Sequence, residues 1–344
     1  MVSKERAQAP RGGRGPRARG RGPLYAALDL GTNNCRLLMA APEPGGGLRV
    51  VDGFSRIVRL GEGLAQTGRL GEAAMARAYQ ALQACAQRIE ARQPVAVGCV
   101  ATQACRQASN GQVCLNRVKQ DLGLHFDVIS PEEEASLSVL GCASLMLPQD
   151  EVAMVLDIGG GSTEMSWVRP KDVIGNGVHP PILGWHSTPL GVVTLAEDEV
   201  EPEHDRAGWY EARVQRLAEH LESIAIGQEL RRAFAQGRAH LIDTSGTVTS
   251  LAGVHMNLPR YERQKVDGYW FDVRDCRAAI GRLLQQDHAG RASHPCIGKD
   301  RAELVIAGGA ILDAVLRVWP VQRIRVADRG LREGVLMRLM AGGR

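Results

Sequence analysis

Asp157-Ile158-Gly159-Gly160-Gly161-Ser162-Thr163-Glu164 follows an apolar run, residues 152–156, and leads into a second extended stretch, residues 164–168. The pattern reads as strand, tight turn, strand. Each glycine weakens an extended segment by about 0.5–1 kcal/mol relative to alanine, so three in a row call for a compensating reason. One such reason is that bare backbone N–H groups can approach an anion closely and form a nest around it. Ser162 and Thr163 add hydroxyl donors, and Asp157 and Glu164 bracket the turn with oxygen ligands of the kind Mg²⁺ takes. A plain hairpin with solvated carboxylates is the alternative reading of the same residues.

The pattern occurs earlier as well. Residues 24–28 form an apolar run ending in Asp29, the turn Leu30-Gly31-Thr32-Asn33-Asn34 follows, and residues 35–40 resume the apolar character. Asp29 and Asp157 stand 128 positions apart, and a repeat over that distance predicts two related lobes. Two facing nests can grip successive phosphates across a cleft. A third turn, Thr244-Ser245-Gly246-Thr247, opens a helix, where the dipole also favours an anion. Around these turns the periodicity predicts helices at residues 72–92, 113–122, 209–236, 301–318 and 331–340, and strands at 48–54, 95–100, 126–129, 239–242 and 323–326. Ser130, Pro131 and Glu133 form a helix start with the spacing of a capping box. Three strands before the first helix, then alternation, give an α/β fold with a partly antiparallel sheet in each lobe. The expected division is a tail at 1–22, one lobe at 23–137 and a second at 138–344.

The composition is globular, with 44% hydrophobic and 23% charged residues in a chain of 344. A chain of this length suits two domains of about 150 residues each. Only 4% of residues are aromatic, which argues against a nucleic-acid reader that stacks bases on exposed rings. No apolar run reaches the roughly 18 residues needed to span a bilayer, so no membrane partner is expected. Residues 1–23 hold seven Lys/Arg and one Glu, leaving 35 basic against 37 acidic residues in the remainder. The net charge of +4 therefore belongs to the tail. That tail lacks the apolar core of a secretory signal and reads as a disordered extension. A polyanion-holding arm is the functional alternative, and an organelle transit segment a third. The eight cysteines show no CxxC spacing, so buried free thiols in a reducing cytoplasm are expected.

Six segments, in order, carry a resemblance. They are Ala27 through Asn34, Arg59-Leu60-Gly61-Glu62-Gly63-Leu64, Ser130-Pro131-Glu132-Glu133-Glu134-Ala135, Leu156 through Glu164, Ser245-Gly246-Thr247, and Asp328-Arg329-Gly330-Leu331-Arg332-Glu333-Gly334. Together they resemble the Ppx/GppA family, exopolyphosphatases and guanosine pentaphosphate phosphohydrolases of the actin/sugar-kinase/Hsp70 superfamily. The resemblance implies two actin-like (ribonuclease H-like) lobes with a cleft between them, in which a terminal phosphoanhydride is hydrolysed. The family's catalytic carboxylate, the Glu just before Ala in the acidic helix start, falls on Glu134. Without the resemblance, Glu132, Glu133 and Glu134 read as acids favoured by a helix N-terminus. With it, Glu133 is expected to cap and Glu134 to activate water.

Asp157 and Glu164, and more weakly Asp29, match the family's Mg²⁺-associated acids. Phosphate is expected on Gly31, Thr32, Asn33 and Asn34, on Gly159, Gly160, Gly161, Ser162 and Thr163, and on Gly246 and Thr247. Arg106 matches a family arginine that faces the cleft, with Arg36 and Arg59 as helpers. The resemblance also implies a homodimer. Two departures stand out. The first turn reads Thr32-Asn33-Asn34 where many relatives have Ser-Asn-Ser, and the HD-type C-terminal domain of longer relatives is expected to be absent. His204-Asp205 is an isolated HD dipeptide, read as surface.

The leading expectation is therefore an exopolyphosphatase that releases orthophosphate from inorganic polyphosphate with Mg²⁺. The same chemistry on guanosine pentaphosphate is the alternative. A non-catalytic polyphosphate- or alarmone-binding regulator is a third reading, which the joint presence of Glu134, Asp157 and Glu164 disfavours. A sugar or acetate kinase fits less well, because the acidic helix start and the C-terminal segment do not belong to those enzymes.

Overall fold

A computed structural model of the chain describes residues 22–44, 47–175 and 177–342. The expected basic tail, apart from its last residue, lies outside the described residues. Two sheets organise the rest. The first contains β1 (Tyr25–Leu30), β2 (Asn34–Pro42), β3 (Leu48–Ile57), β4 (Ala96–Ala101) and β5 (Phe126–Val128), in the order β3-β2-β1-β4-β5. β1 runs antiparallel to β2 and parallel to β4. The second contains β6 (Val152–Ile158), β7 (Thr163–Val168), β8 (Gly184–Thr188), β9 (Ala239–Asp243), β10 (Trp270–Asp272) and β11 (Arg323–Val326), in the order β10-β11-β9-β6-β7-β8. With β6, β7, β8, β9 and β11 in the places of β1 to β5, the second sheet repeats the first, and β10 is an added antiparallel edge. This is the two-lobed α/β architecture with related, partly antiparallel sheets that the repeated turn predicts.

The filling of the two sheet faces by different side chains explains why the first hairpin holds its register. Along β1 and β2, Leu28, Leu30, Leu37 and Met39 are fully buried. Burying a side chain of that size contributes roughly 1.5–3 kcal/mol, and a slip of one residue would drive the set onto the opposite face, which Ala27, Leu38 and Ala40 already fill. The result is a matched placement of polar groups: Asp29 lies opposite Arg36 in the first hairpin, and Asp157 lies opposite Glu164 in the second.

The helices correct three boundaries. The expected helix at 209–236 is two, Arg206–Glu222 and Gln228–Ala235, because the chain turns between them and Gly227 caps the second. The helix expected from 301 begins at Leu304, since Arg301 lies in the preceding turn. A lobe boundary at 137/138 would cut the helix Pro131–Cys142 in two. That helix follows β5 of the first lobe, yet its Val139 and Cys142 pack with Ala153, Val155 and Val168 of the second sheet. Conversely, the last helix, Leu331–Met340, follows β11 but packs its Val335 and Leu336 against Ala27, Leu38 and Val100 of the first sheet. The two helices cross at backbone contact: a Cβ on Gly334 would stand 2.0 Å from the Leu137 carbonyl oxygen, and one on Gly141 2.0 Å from that of Gly330. Each lobe thus lends its last helix to the other, and the crossing lies beside the cleft.

All eight cysteines are free, and seven are buried. No helix among the described residues is long and apolar enough to cross a membrane.

Candidate active site

Both four-residue turns end at the cleft between the lobes. Gly31 donates its N–H to the Asn34 carbonyl (2.9 Å) and Gly159 donates to Ser162 (2.8 Å), so the two turns close in the same way. Their carbonyls are tied back into the lobes. Val58 and Arg59 donate to Asn33, and Gly61 donates to Thr32. On the other side Val192 donates to Gly159 and Val193 to Gly160. The N–H groups of Thr32, Asn33, Gly160 and Gly161 enter no backbone hydrogen bond among the described residues. Turns whose carbonyls are occupied and whose amides are free can serve as anion nests. Ser245 caps the helix Gly246–His255 by accepting from Val248, which leaves the first-turn amides of Gly246 and Thr247 as further donors.

The nests meet. A Cβ on Gly160 would lie 2.9 Å from that of Asn33, and one on Gly161 would lie 1.9 Å from Gln103 Oε1. Gln103, 7% exposed, joins them: its Nε2 donates to the Gly161 carbonyl at 3.0 Å, and its Oε1 accepts from Thr32 Oγ1 at 3.4 Å. The cleft contains about 1110 Å³ of empty space, counting its open mouth.

Glu134 lines the same cleft. Ser130 starts its helix by accepting the Glu133 N–H at 3.1 Å, with Pro131 in the first turn. Glu133 does not complete the capping box with its side chain; its carboxylate pairs with Arg338 at 2.6 Å. Glu134 is left to point inward, its side chain 12% exposed. Burial, and then the Glu164 and Asp157 carboxylates, hold its carboxyl well above the usual range, against the opposing pull of Arg106. Burial also raises Asp157, lifts Asp29 to about 6 and takes Glu164 to about 7.

Several expected ligands occupy other places. Arg106 does not line the cleft. It sits behind Glu134, 3.5 Å from its carboxylate, and donates to the Ile129 carbonyl at 2.7 Å. Thr163 is fully buried at the start of β7, its hydroxyl donating to the Leu190 carbonyl. Glu164, 4% exposed, lies beneath the surface and accepts from Ser187 at 2.9 Å. Arg59 pairs with Glu303 at 3.7 Å and is also away from the lining. Asp29, Gly31, Thr32, Asn33, Asn34, Arg36, Asp157, Gly159, Gly160, Gly161, Ser162, Gly246 and Thr247 do line the cleft. Sequence reasoning missed Gln103, Arg301 and Arg332, which line it too. Arg332 lies inside a stretch singled out for its resemblance, and Gln103 stands three positions before Arg106, so the signal was present without a role attached.

Among the described residues no three His, Cys, Asp or Glu side chains form a ready metal cluster. Mg²⁺ does not need one, since it binds through one or two carboxylates together with substrate phosphates and water. The donor set suits it: Asp157 and Asp29 present oxygen to the cleft, and the buried Asp29 Oδ1 has no hydrogen-bond partner.

The model of the Ppx/GppA phosphatase family matches residues 40–342. This chain belongs to that family. The Haemophilus influenzae protein named "Putative exopolyphosphatase" is 28% identical over 330 residues, 94% of each chain. The crystal structure of the Aquifex aeolicus Ppx/GppA family member is 27% identical and superposes with a TM-score of 0.74, covering 93% of this chain and 98% of that one. The crystal structure of an exopolyphosphatase from Cytophaga hutchinsonii gives a TM-score of 0.79 over 93% and 99% of the two chains, and at 24% identity it speaks to the fold. The site described here is therefore that of a phosphatase-family protein, with its glycine turns and Glu134 in one cleft.

Proposed function

We propose that this Ppx/GppA protein is an exopolyphosphatase, which hydrolyses the terminal phosphoanhydride of inorganic polyphosphate with Glu134 as general base. The observation that carries this reading is the convergence of two amide nests on a cleft that also holds a buried carboxylate, Glu134, backed by Arg106. Polyphosphate has no base or sugar to recognise, and no aromatic side chain is among those lining the cleft.

In this reading the nests hold the terminal PO₃ unit by N–H donation. Glu134, ionised, accepts a proton from a water molecule as its oxygen attacks the terminal phosphorus. The bridging P–O bond then breaks, and orthophosphate and a chain one unit shorter result. A positioned base of this kind contributes about 10²–10⁴ in rate, and fixed donors aimed at developing charge contribute more. Asp157, with Asp29, would hold Mg²⁺, which when bound neutralises phosphate oxygens. Glu164 acts from beneath the surface by keeping the local field negative. Arg106 orients Glu134 and favours its ionised form.

The test is orthophosphate release by the purified protein from long-chain polyphosphate and from guanosine pentaphosphate, side by side, with Mg²⁺ and with a chelator. Release chiefly from polyphosphate, lost with the chelator, is expected. Release from the pentaphosphate alone would transfer the chemistry to the nucleotide, and release from neither would leave a binding protein.

A further inference from the structure

We infer that Arg332 is a substrate-binding residue of the cleft, which pairs with Arg36 of the first hairpin to hold a phosphate group. The inference rests on the reading of the cleft as a phosphoanhydride site.

Most arginines around the C-terminal segment have a protein partner. Arg329 donates to Asp267 and to Ser144. Arg263 bonds Glu333 and the Asp328 carbonyl. Arg338 pairs with Glu133. Arg323 and Arg325 lie over the Trp270 ring, 4.4 and 4.9 Å from its centre. Arg332 is half-buried, lines the cleft and makes no hydrogen bond or ion pair among the described residues. Arg36 lines the cleft in the same condition. From β2 its Nη2 reaches to 3.8 Å from the position a Cβ on Gly246 would take, so it spans the gap to the second lobe.

The surroundings of Arg332 are rigid. It is the second residue of the last helix. Glu333 beside it is 4% exposed, held by Arg263, and accepts the Gly330 N–H at 2.9 Å. Gly334, two residues on, abuts the Leu137 carbonyl. The backbone that carries Arg332 is thus fixed against the helix that carries Glu134. Burial and the charge of Arg36 both disfavour the Arg332 cation, partly offset by Glu333, Asp328 and Asp29. Two unpaired guanidinium groups that line one cleft and repel each other favour an anion between them. A guanidinium fork matches phosphate oxygens two at a time.

The test uses the full chain with Arg332→Ala and Arg332→Lys, and with Arg274→Ala as a control at a side chain 91% exposed. Turnover of polyphosphate and calorimetric binding of pyrophosphate are both measured. Arg332→Ala is expected to raise KM and weaken pyrophosphate binding by about 10- to 100-fold. The lysine variant should fall between, and added guanidinium ion should restore much of the loss in the alanine variant alone. Wild-type binding and KM in Arg332→Ala would overturn the inference. So would a loss accompanied by a collapsed Tm and no guanidinium rescue, since that marks a structural role. If the wild type bound pyrophosphate and released no orthophosphate, the proposed function would fail while the binding arm still judged Arg332.

Discussion

Arg106 Nη1 stands 3.5 Å from Glu134 Oε2 and 2.7 Å from the Ile129 carbonyl oxygen, so one guanidinium ties the cleft carboxylate to the end of the first sheet. With Glu134 as the proposed base, the pair should set the acid limb of the pH–rate profile. Glu134 can accept a proton only when ionised, and burial with the Glu164 and Asp157 charges already raises its pKa, while Arg106 lowers it. Arg106→Gln removes the lowering influence. The acid limb of kcat/KM should therefore move to higher pH, with about a tenfold loss at a fixed pH on that limb for each unit moved. A limb that stays in place or moves toward acid would show that Arg106 does not act through Glu134.

The spacing of the nests depends on the absence of a side chain at Gly161. A methyl group there would stand 1.9 Å from Gln103 Oε1, so Gly161→Ala must push Gln103 or the turn aside. Displacements of about 1 Å in such sites cost on the order of 10² in rate. Gln103 is the end of a flexible side chain, so Gln103→Ala in the same chain should recover part of the loss. At Gly160 the obstruction is Asn33, including its backbone nitrogen at 3.1 Å, and Gly160→Ala should stay impaired beside Gln103→Ala. Equal behaviour of the two glycine variants in steady-state assays would refute this account of the contact.

The local parts of this architecture were legible in the sequence. An apolar run, an aspartate and a glycine-rich turn depend on neighbouring residues only, so both hairpins, the turn at Gly246 and the strand at Arg323–Val326 could be read directly. The acidic helix start exposed Glu134 through resemblance, since its spacing alone marks no more than a helix N-terminus. What depended on distant contacts was not legible. Nothing in residues 331–340 says that the helix returns to the first sheet, because its Val335 and Leu336 would suit either core. Arg106 and Thr163 stand in stretches that suggest phosphate contact. Tertiary packing aims the one at Glu134 and the other at the Leu190 carbonyl. Gln103 joins the two turns through a bond to Gly161, 58 positions away, and no periodicity reports such a bond.

Stability should fall with rising pH. Asp243, at the end of β9, is fully buried with Oδ2 unpartnered, and burial lifts its pKa to about 7. Between the ordinary carboxylate value and about 7 the unfolded chain has lost this proton while the native protein keeps it. The unfolded state then binds fewer protons, and the unfolding free energy declines by up to about 1.4 kcal/mol per pH unit for one such group. Asp29 and Glu164 act in the same sense. Urea denaturation at pH 5 and pH 8, without divalent cations or phosphate, should show the lower midpoint at pH 8. Asp243→Asn should flatten the dependence by one group's share, and an unchanged slope would assign the proton elsewhere.

The proposed metal role makes a separable claim for Asp157. Asp157→Asn should raise the Mg²⁺ concentration needed for half-maximal phosphate release by about tenfold or more, since a hard cation favours an ionised oxygen donor. Titration of activity with Mg²⁺ in both proteins checks it, and coincident curves would remove Asp157 from the set.

Glu134→Gln tests the central claim most directly, because the amide keeps the shape of the side chain and cannot take a proton from water. Orthophosphate release from polyphosphate should fall by about 10²–10⁴, while polyphosphate binding, measured by calorimetry on the same preparation, stays within a fewfold of wild type. Release at the wild-type rate would contradict the assignment of Glu134 as the base that activates water.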